Sequence, residues 1–301
     1  MNVFRGISAF PLTPTDQNGY VDADAIERLL QRQLTAKRDG RGVDAVCMMG
    51  STGIYAYLTL SERQRAAEIA SDILGEALPL LIGIGSLRTD DAQKLARHAE
   101  QIGAKGVLLA PISYTPLTED EVYQHYVAVA GATRLPLCIY NNPTTTHFTF
   151  SRRLIERLGE VRNITAIKMP LPAYGDFQAE IERLRASLPE GFVIGYSGDW
   201  GCADALLAGA DSWFSVLAGL LPATASQLAK AAIQRDSNET ARLQLALQPL
   251  WSLFRKYGGL RVMYGAANLL DLTTAQPPRP ILPLSQADLA LLQSALSALE
   301  K

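Results

Sequence analysis

Apolar and polar positions along this chain fall into two alternating patterns. Short continuous apolar runs of strand length are followed by longer stretches in which apolar residues recur every three or four positions. The first pattern marks a strand buried on both faces, the second an amphipathic helix. Strands are predicted over Val3–Phe10, Val43–Met49, Pro79–Ile84, Gly106–Ala110, Pro136–Tyr140, Ile164–Lys168, Phe192–Tyr196 and Ser212–Val216. Between them the helical pattern covers Asp22 to Arg38 with Asp22 as N-cap, Glu62–Leu74 capped by Ser61, and Thr89–Ile102. It continues from Thr118 or Glu119 to Ala132, in a short segment capped by Ser151, over Asp176–Leu188, and over Ala203–Ala208. After Gly219 the strands stop. Pro222–Gln234, Glu239–Tyr257, Arg261–Leu270 and Gln286–Leu299 read as helices, with the proline-rich Gln276–Pro280 as an extended connector before the last.

About eight strand–helix units in roughly the first 220 residues are the count and length of an α/β (β/α)8 TIM barrel. We therefore expect a barrel over residues 1–221 and a C-terminal helical appendage over residues 222–301. A doubly wound sheet is the alternative. It would carry a glycine-rich phosphate loop after its first strand, where this chain has Phe10-Pro-Leu-Thr-Pro14.

Composition narrows the chemistry. The chain has 301 residues, 48% of them hydrophobic, and a formal net charge of −2. Its near-neutral balance gives no sign of a nucleic-acid partner or of an anionic membrane surface. Met1–Arg5 lacks the charged-then-apolar pattern of a signal peptide, and no apolar run approaches the ~20 residues of a membrane span. Cys47, Cys138 and Cys202 are odd in number and far apart, and the first two sit in apolar strand-like runs. That is the usage of buried free thiols in a reducing cytoplasm. His98, His125 and His147 show no ligand spacing with each other or with cysteine, so no metal site is expected.

In a barrel of this kind, reacting groups stand at the C-terminal ends of the strands. Lys168 closes the sixth strand among apolar residues. A buried ammonium is costly, so either its stem packs while its head reaches water, or it is a desolvated amine able to attack a carbonyl and form a Schiff base. Tyr140 closes the adjacent fifth strand and can pass a proton to and from such a reaction. Alone it reads more readily as an amphipathic aromatic at a strand end. After the second strand, Gly50-Ser51-Thr52-Gly53 offers hydroxyls and backbone N–H groups suited to a carboxylate, although such turns are common. It is the conjunction at one face that favours chemistry.

These residues resemble the dihydrodipicolinate synthase and N-acetylneuraminate lyase superfamily of Schiff-base aldolases, from end to end of the chain. Gly50–Gly53 with Leu58-Thr-Leu-Ser-Glu-Arg63 is similar to its GxTGE…LS-x-ER stretch, and Tyr140-Asn-Asn-Pro143 to its YNxP motif. Pro111–Pro116 with Tyr123-Gln-His-Tyr126, Ala166-Ile-Lys168, Gly198-Asp199 and Pro278–Leu284 also fit. The resemblance implies that Lys168 forms an imine with a 2-oxo acid such as pyruvate, that Tyr140 shuttles protons, and that Ser51 and Thr52 hold the carboxylate, Ser51 also linking Tyr140 into a relay. Asp199 matches a position that contacts substrate hydroxyls in sugar-acid members, with an N-cap for Ala203–Ala208 as the structural alternative. It further implies a homotetramer that needs no cofactor or metal.

The departures concern the second substrate. The glutamate usual after the glycine motif is Ile54, and Met169-Pro170 follows the lysine. The arginine that binds the aldehyde's carboxylate in synthase members is Thr145 here, which leaves Thr145 as the substrate-facing residue at that position. The tyrosine that many members send across a subunit interface aligns with Ser113, beside Tyr114. We therefore expect a lyase, aldolase or dehydratase acting on a 2-oxo acid, but not a true dihydrodipicolinate synthase. A non-catalytic 2-oxo-acid-binding or regulatory protein on the same fold is the alternative from another class.

Overall fold

A computed structural model of the chain describes residues 2–299. Eight parallel strands close on themselves in chain order, each paired with its neighbours and the eighth with the first. They are β1 (Gly6–Ala9), β2 (Ala45–Met48), β3 (Leu80–Gly83), β4 (Gly106–Leu109), β5 (Leu137–Tyr140), β6 (Ile164–Met169), β7 (Val193–Tyr196) and β8 (Ser212–Ser215). The intervening helices are α1 (Ala23–Arg38), α2 (Leu60–Leu74), α3 (Thr89–Gln101), α4 (Glu119–Ala130), the single turn α5 (Pro143–Thr146), α6 (Arg152–Gly159), α7 (Phe177–Arg185) and α8 (Asp199–Leu207). The expected (β/α)8 barrel is what the chain forms.

Side-chain alternation along each strand divides the interior into two apolar regions. One set, including Ala45, Cys47, Leu81, Leu108, Cys138, Ala166, Val193 and Phe214, fills the barrel itself. The other set faces outward and is covered by the helices, as with Val46, Ile82, Val107, Ile139 and Ile167. Parity then decides the chemistry. Lys168 is two residues past Ala166 and Tyr140 two past Cys138, so both enter the barrel mouth. All three cysteines are free and buried, as their surroundings in the sequence suggest. Burial pushes the Cys47 thiol up to about 12 and raises Cys138 and Cys202 well above the ordinary range. These thiols are packing groups.

Several local readings change in three dimensions. Helix α2 is capped by Thr59, whose hydroxyl accepts from the Glu62 amide, while Ser61 lies within the first turn and bonds Thr59 instead. Thr118 closes a capping box with Glu121 at the start of α4. Helix α8 starts at Asp199, four residues before the predicted start, with Gly198 at φ 98° as its N-cap. Seven of the eight strands are shorter than the predicted runs, and β6 instead extends one residue further, to Met169. C-terminal helices follow as α9 (Pro222–Ile233), α10 (Ser237–Tyr257), α11 (Gly259–Leu269) and α12 (Gln286–Leu299). Helix α9 packs against α8 and α1, taking the place of the eighth helix of the ring. Helix α10 lies over α8 and α9, and α11 and α12 pack against α10 and each other.

Candidate active site

The register of β5 on β6 sets Tyr140 directly beside Lys168. Lys168 is 2% exposed. Its Nζ lies 3.9 Å from the centroid of the Tyr140 ring, 4.0 Å from that of Phe10 and 5.9 Å from that of Phe214. Three ring faces thus surround the amine, and Phe10 meets Phe214 edge to face at 6.0 Å. Such faces attract a cation while leaving its lone pair, once deprotonated, unclaimed by any carboxylate. Phe10 is wedged in place by Gly50, where a Cβ would lie 2.5 Å from the ring. The glycine of the second-strand loop therefore serves the lysine through an aromatic ring, a contact with no signal in the sequence.

Above the lysine stand two hydroxyls. The Tyr140 hydroxyl is 3.1 Å from Ser51 Oγ. The Asn142 side-chain amide donates to the Tyr140 hydroxyl at 3.2 Å and to Ser51 Oγ at 3.5 Å. Thr144 Oγ1 in turn donates to Asn142 Oδ1 at 2.8 Å. Asn142 is a polar residue of this site that sequence reasoning passed over, since it stands at the position the YNxP motif leaves open.

Thr52 is buried beside Ser51, and its Oγ1 faces the start of α11, where a Cβ on Gly259 would lie 3.8 Å away. The appendage thereby reaches the barrel mouth. Asp199 is also buried, but turned to the protein: it accepts from Ser215 Oγ at 2.6 Å and from the Val216 and Leu217 amides at 3.2 and 3.0 Å. Burial raises its carboxyl above the usual range, and those hydrogen bonds oppose the rise. Asp199 ties α8 to the turn after β8, and it does not cap a helix over 203–208. Thr145 is exposed, and its hydroxyl donates to the Asn142 carbonyl at 3.3 Å. Lys168, Tyr140, Ser51 and Thr52 are brought to one mouth, with Thr145 on its rim.

Other charges near the strand ends are engaged elsewhere. Arg88 makes two 2.9 Å bonds to Asp90 on the surface, and Arg261 bonds the Tyr257 carbonyl at 3.2 Å. Arg63 is buried and holds the end of β3 through Gly83 O, Gly85 O and Ser86 Oγ. Its guanidinium lies 5.3 Å from the centroid of the Tyr55 ring, and burial lowers it to about 10. Ser113 is half-buried, whereas Tyr114 is 97% exposed. Among the described residues, no group of three or more His, Cys, Asp or Glu is placed to hold a metal ion.

Residues 3–299 match the model of the dihydrodipicolinate synthetase family. The 4-hydroxy-tetrahydrodipicolinate synthase of Wolinella succinogenes is 32% identical over 305 aligned positions, which cover 100% of this chain and 99% of that protein. A crystal structure of dihydrodipicolinate synthase from Agrobacterium tumefaciens superposes with a TM-score of 0.95 at 56% identity, covering 99% of this chain and 98% of that one. A chloride-inhibited dihydrodipicolinate synthase from Acinetobacter baumannii, crystallised with pyruvate, superposes with a TM-score of 0.87 at 26% identity and covers 98% of each chain.

Proposed function

The chain belongs to the dihydrodipicolinate synthetase family, and from that premise we propose that it is a Schiff-base lyase or synthase acting on pyruvate or a related 2-oxo acid through Lys168. One observation carries the reading: a buried lysine amine beside the Tyr140 ring, whose hydroxyl is bonded to Ser51 in the same mouth. The pyruvate bound by the Acinetobacter relative supports the substrate class.

The reaction follows from the groups at hand. Unprotonated Lys168 Nζ adds to the keto carbon, and the proton it loses passes to the carbonyl oxygen, giving a carbinolamine. Tyr140 protonates that hydroxyl, water leaves, and the C=N bond forms with a phenolate left behind. The phenolate removes a proton from the neighbouring carbon to give an enamine, the nucleophile for carbon–carbon bond formation. In the reverse sense the same groups cleave that bond. Ser51 and Thr52 receive the carboxylate, with Ser51 also bonded to the proton carrier. Three buried thiols support a reducing, cytoplasmic setting. Asp199 serves the site indirectly in this reading, by fixing the turn after β8.

The acceptor differs from that of a true dihydrodipicolinate synthase, because Thr145 offers a neutral hydroxyl where an arginine fork would hold a carboxylate. Incubation with pyruvate and borohydride should add the mass of the reduced imine to the peptide containing Lys168, and Lys168→Ala should abolish it. Labelling that persists in the variant would overturn the assignment.

A further inference from the structure

We propose that Asn142 is a positioning residue for proton transfer, its amide serving as a fixed donor to the Tyr140 oxygen; this rests on the Schiff-base reading above. Three observations converge on it. The amide nitrogen is within hydrogen-bond distance of both the Tyr140 hydroxyl, at 3.2 Å, and Ser51 Oγ, at 3.5 Å. Its orientation is set by Thr144, whose hydroxyl donates to Oδ1 at 2.8 Å and turns the nitrogen toward the two hydroxyls. The loop itself is locked independently of this side chain, because the Thr145 and Thr146 hydroxyls and the Thr145 and Thr146 amides all bond the Asn142 backbone carbonyl.

The chemistry follows from what an amide can and cannot do. It has two N–H donors and carries no proton to exchange at neutral pH. When Tyr140 gives its proton to the departing hydroxyl of the carbinolamine, negative charge develops on the phenolic oxygen. A donor already aimed at that oxygen stabilises the charge without reorganising. The second N–H lies toward Ser51, so the proton between Ser51 and Tyr140 can move in either direction while the amide stays fixed. Asn142 thus bridges the hydroxyl pair. It touches the proton carrier and not the reacting atoms.

The test uses the intact chain and pyruvate, so it needs no knowledge of the second substrate. The rate of Lys168 imine formation is read by quenching with borohydride at increasing times. Asn142→Val removes both donors while keeping a side chain of similar size at this position. It should slow imine formation roughly 10- to 100-fold, the scale for a hydrogen bond to a developing charge, while the final extent of labelling is unchanged. Asn142→Asp keeps the shape but presents only acceptors, and should be slowed at least as much. Thr144→Val should be slower by a few-fold, and Asn142→Val/Thr144→Val no slower than Asn142→Val alone, because Thr144 acts through the amide. Circular dichroism confirms that each variant is folded, and Thr144→Val keeps the idea testable where Asn142→Val is not. An Asn142→Val rate within two-fold of the parent overturns the proposal, as does an Asn142→Asp variant at the parental rate, which would make the side chain an acceptor. A parent chain that forms no adduct with pyruvate overturns the Schiff-base reading and this proposal together.

Discussion

Lys168 sits among aromatic faces and has no ion pair with a carboxylate among the described residues. An ion pair would hold it firmly but would also hold its proton. Ring faces hold the side chain by weaker attraction, on the order of 0.5–2 kcal/mol each, and leave the nitrogen free to react. Tyr140 supplies one of those faces and, through its hydroxyl, the proton relay with Ser51. The two contributions can be separated. Tyr140→Phe keeps the ring beside Lys168 and removes only the hydroxyl. It should leave the fold intact and slow turnover by roughly 10²-fold or more, the usual scale for a positioned acid–base group. Steady-state rates on the physiological substrate check this, and a loss of only a few-fold would reduce Tyr140 to a packing role.

Elements are tied to one another at their ends by single polar residues. Glu100, near the end of α3, accepts from the Arg134 amide at 3.0 Å, from Arg134 Nε at 2.6 Å and from Thr133 Oγ1 at 2.8 Å, fixing the approach to β5. The Arg134 backbone bond first, then its side chain and Thr133, hold the Glu100 carboxyl down at about 2, against an ordinary 4.5. A depressed carboxyl contributes stability that is fully present above its unfolded value and is lost as pH falls through the folded value. The parent should therefore exceed Glu100→Gln in urea stability at pH 7, and the gap should narrow between about 4.5 and about 2. The effect is modest for so exposed a pair and shrinks in high salt. Urea melts at pH 7 and pH 3 measure it; an unchanged gap would assign the contact no electrostatic role.

For the whole molecule, the mouth of the barrel is also an exposed apolar rim. Tyr57, Leu87 and Tyr114, after the successive strands β2, β3 and β4, are 48%, 67% and 97% exposed. We propose that these exposed side chains take part in association between copies of the chain, as the homotetramer implied by the family resemblance would require. Sedimentation equilibrium should give a mass of about four chains at micromolar concentration, and a monomer at that concentration would discount the rim. The same mouth bears on the acceptor. Thr145 is occupied with its own loop, and Arg88 and Arg261 are bonded elsewhere. Losing ~3 kcal/mol of carboxylate binding costs roughly 150-fold in kcat/KM. Imine formation with pyruvate should proceed, while kcat/KM for condensation with aspartate semialdehyde should fall short of that of an arginine-bearing synthase by about that margin, and Thr145→Arg should recover part of it. A coupled assay showing efficient synthase turnover in the parent would refute this reading.

How much of this was legible beforehand depends on the range of the physics involved. Alternating apolar runs and amphipathic stretches, local features set by strand and helix periods, determined the eight-unit barrel, its trailing helices and the strand ends where chemistry collects. Lys168 stood out because a lysine is anomalous at an apolar strand end, and Tyr140 and the Gly50–Gly53 loop gained weight by standing with it at one face. The cap of α2 was read as Ser61 and is Thr59, since two nearby hydroxyls offer nearly equal local bonds. Only the tertiary structure brought Phe10 and Phe214 onto the lysine and turned Asp199 toward Ser215. It alone aimed the Asn142 amide at two hydroxyls and carried the start of α11 to Thr52. Those contacts join residues from separate strands and loops, and nothing in the sequence around either partner encodes a distance that is set by barrel closure.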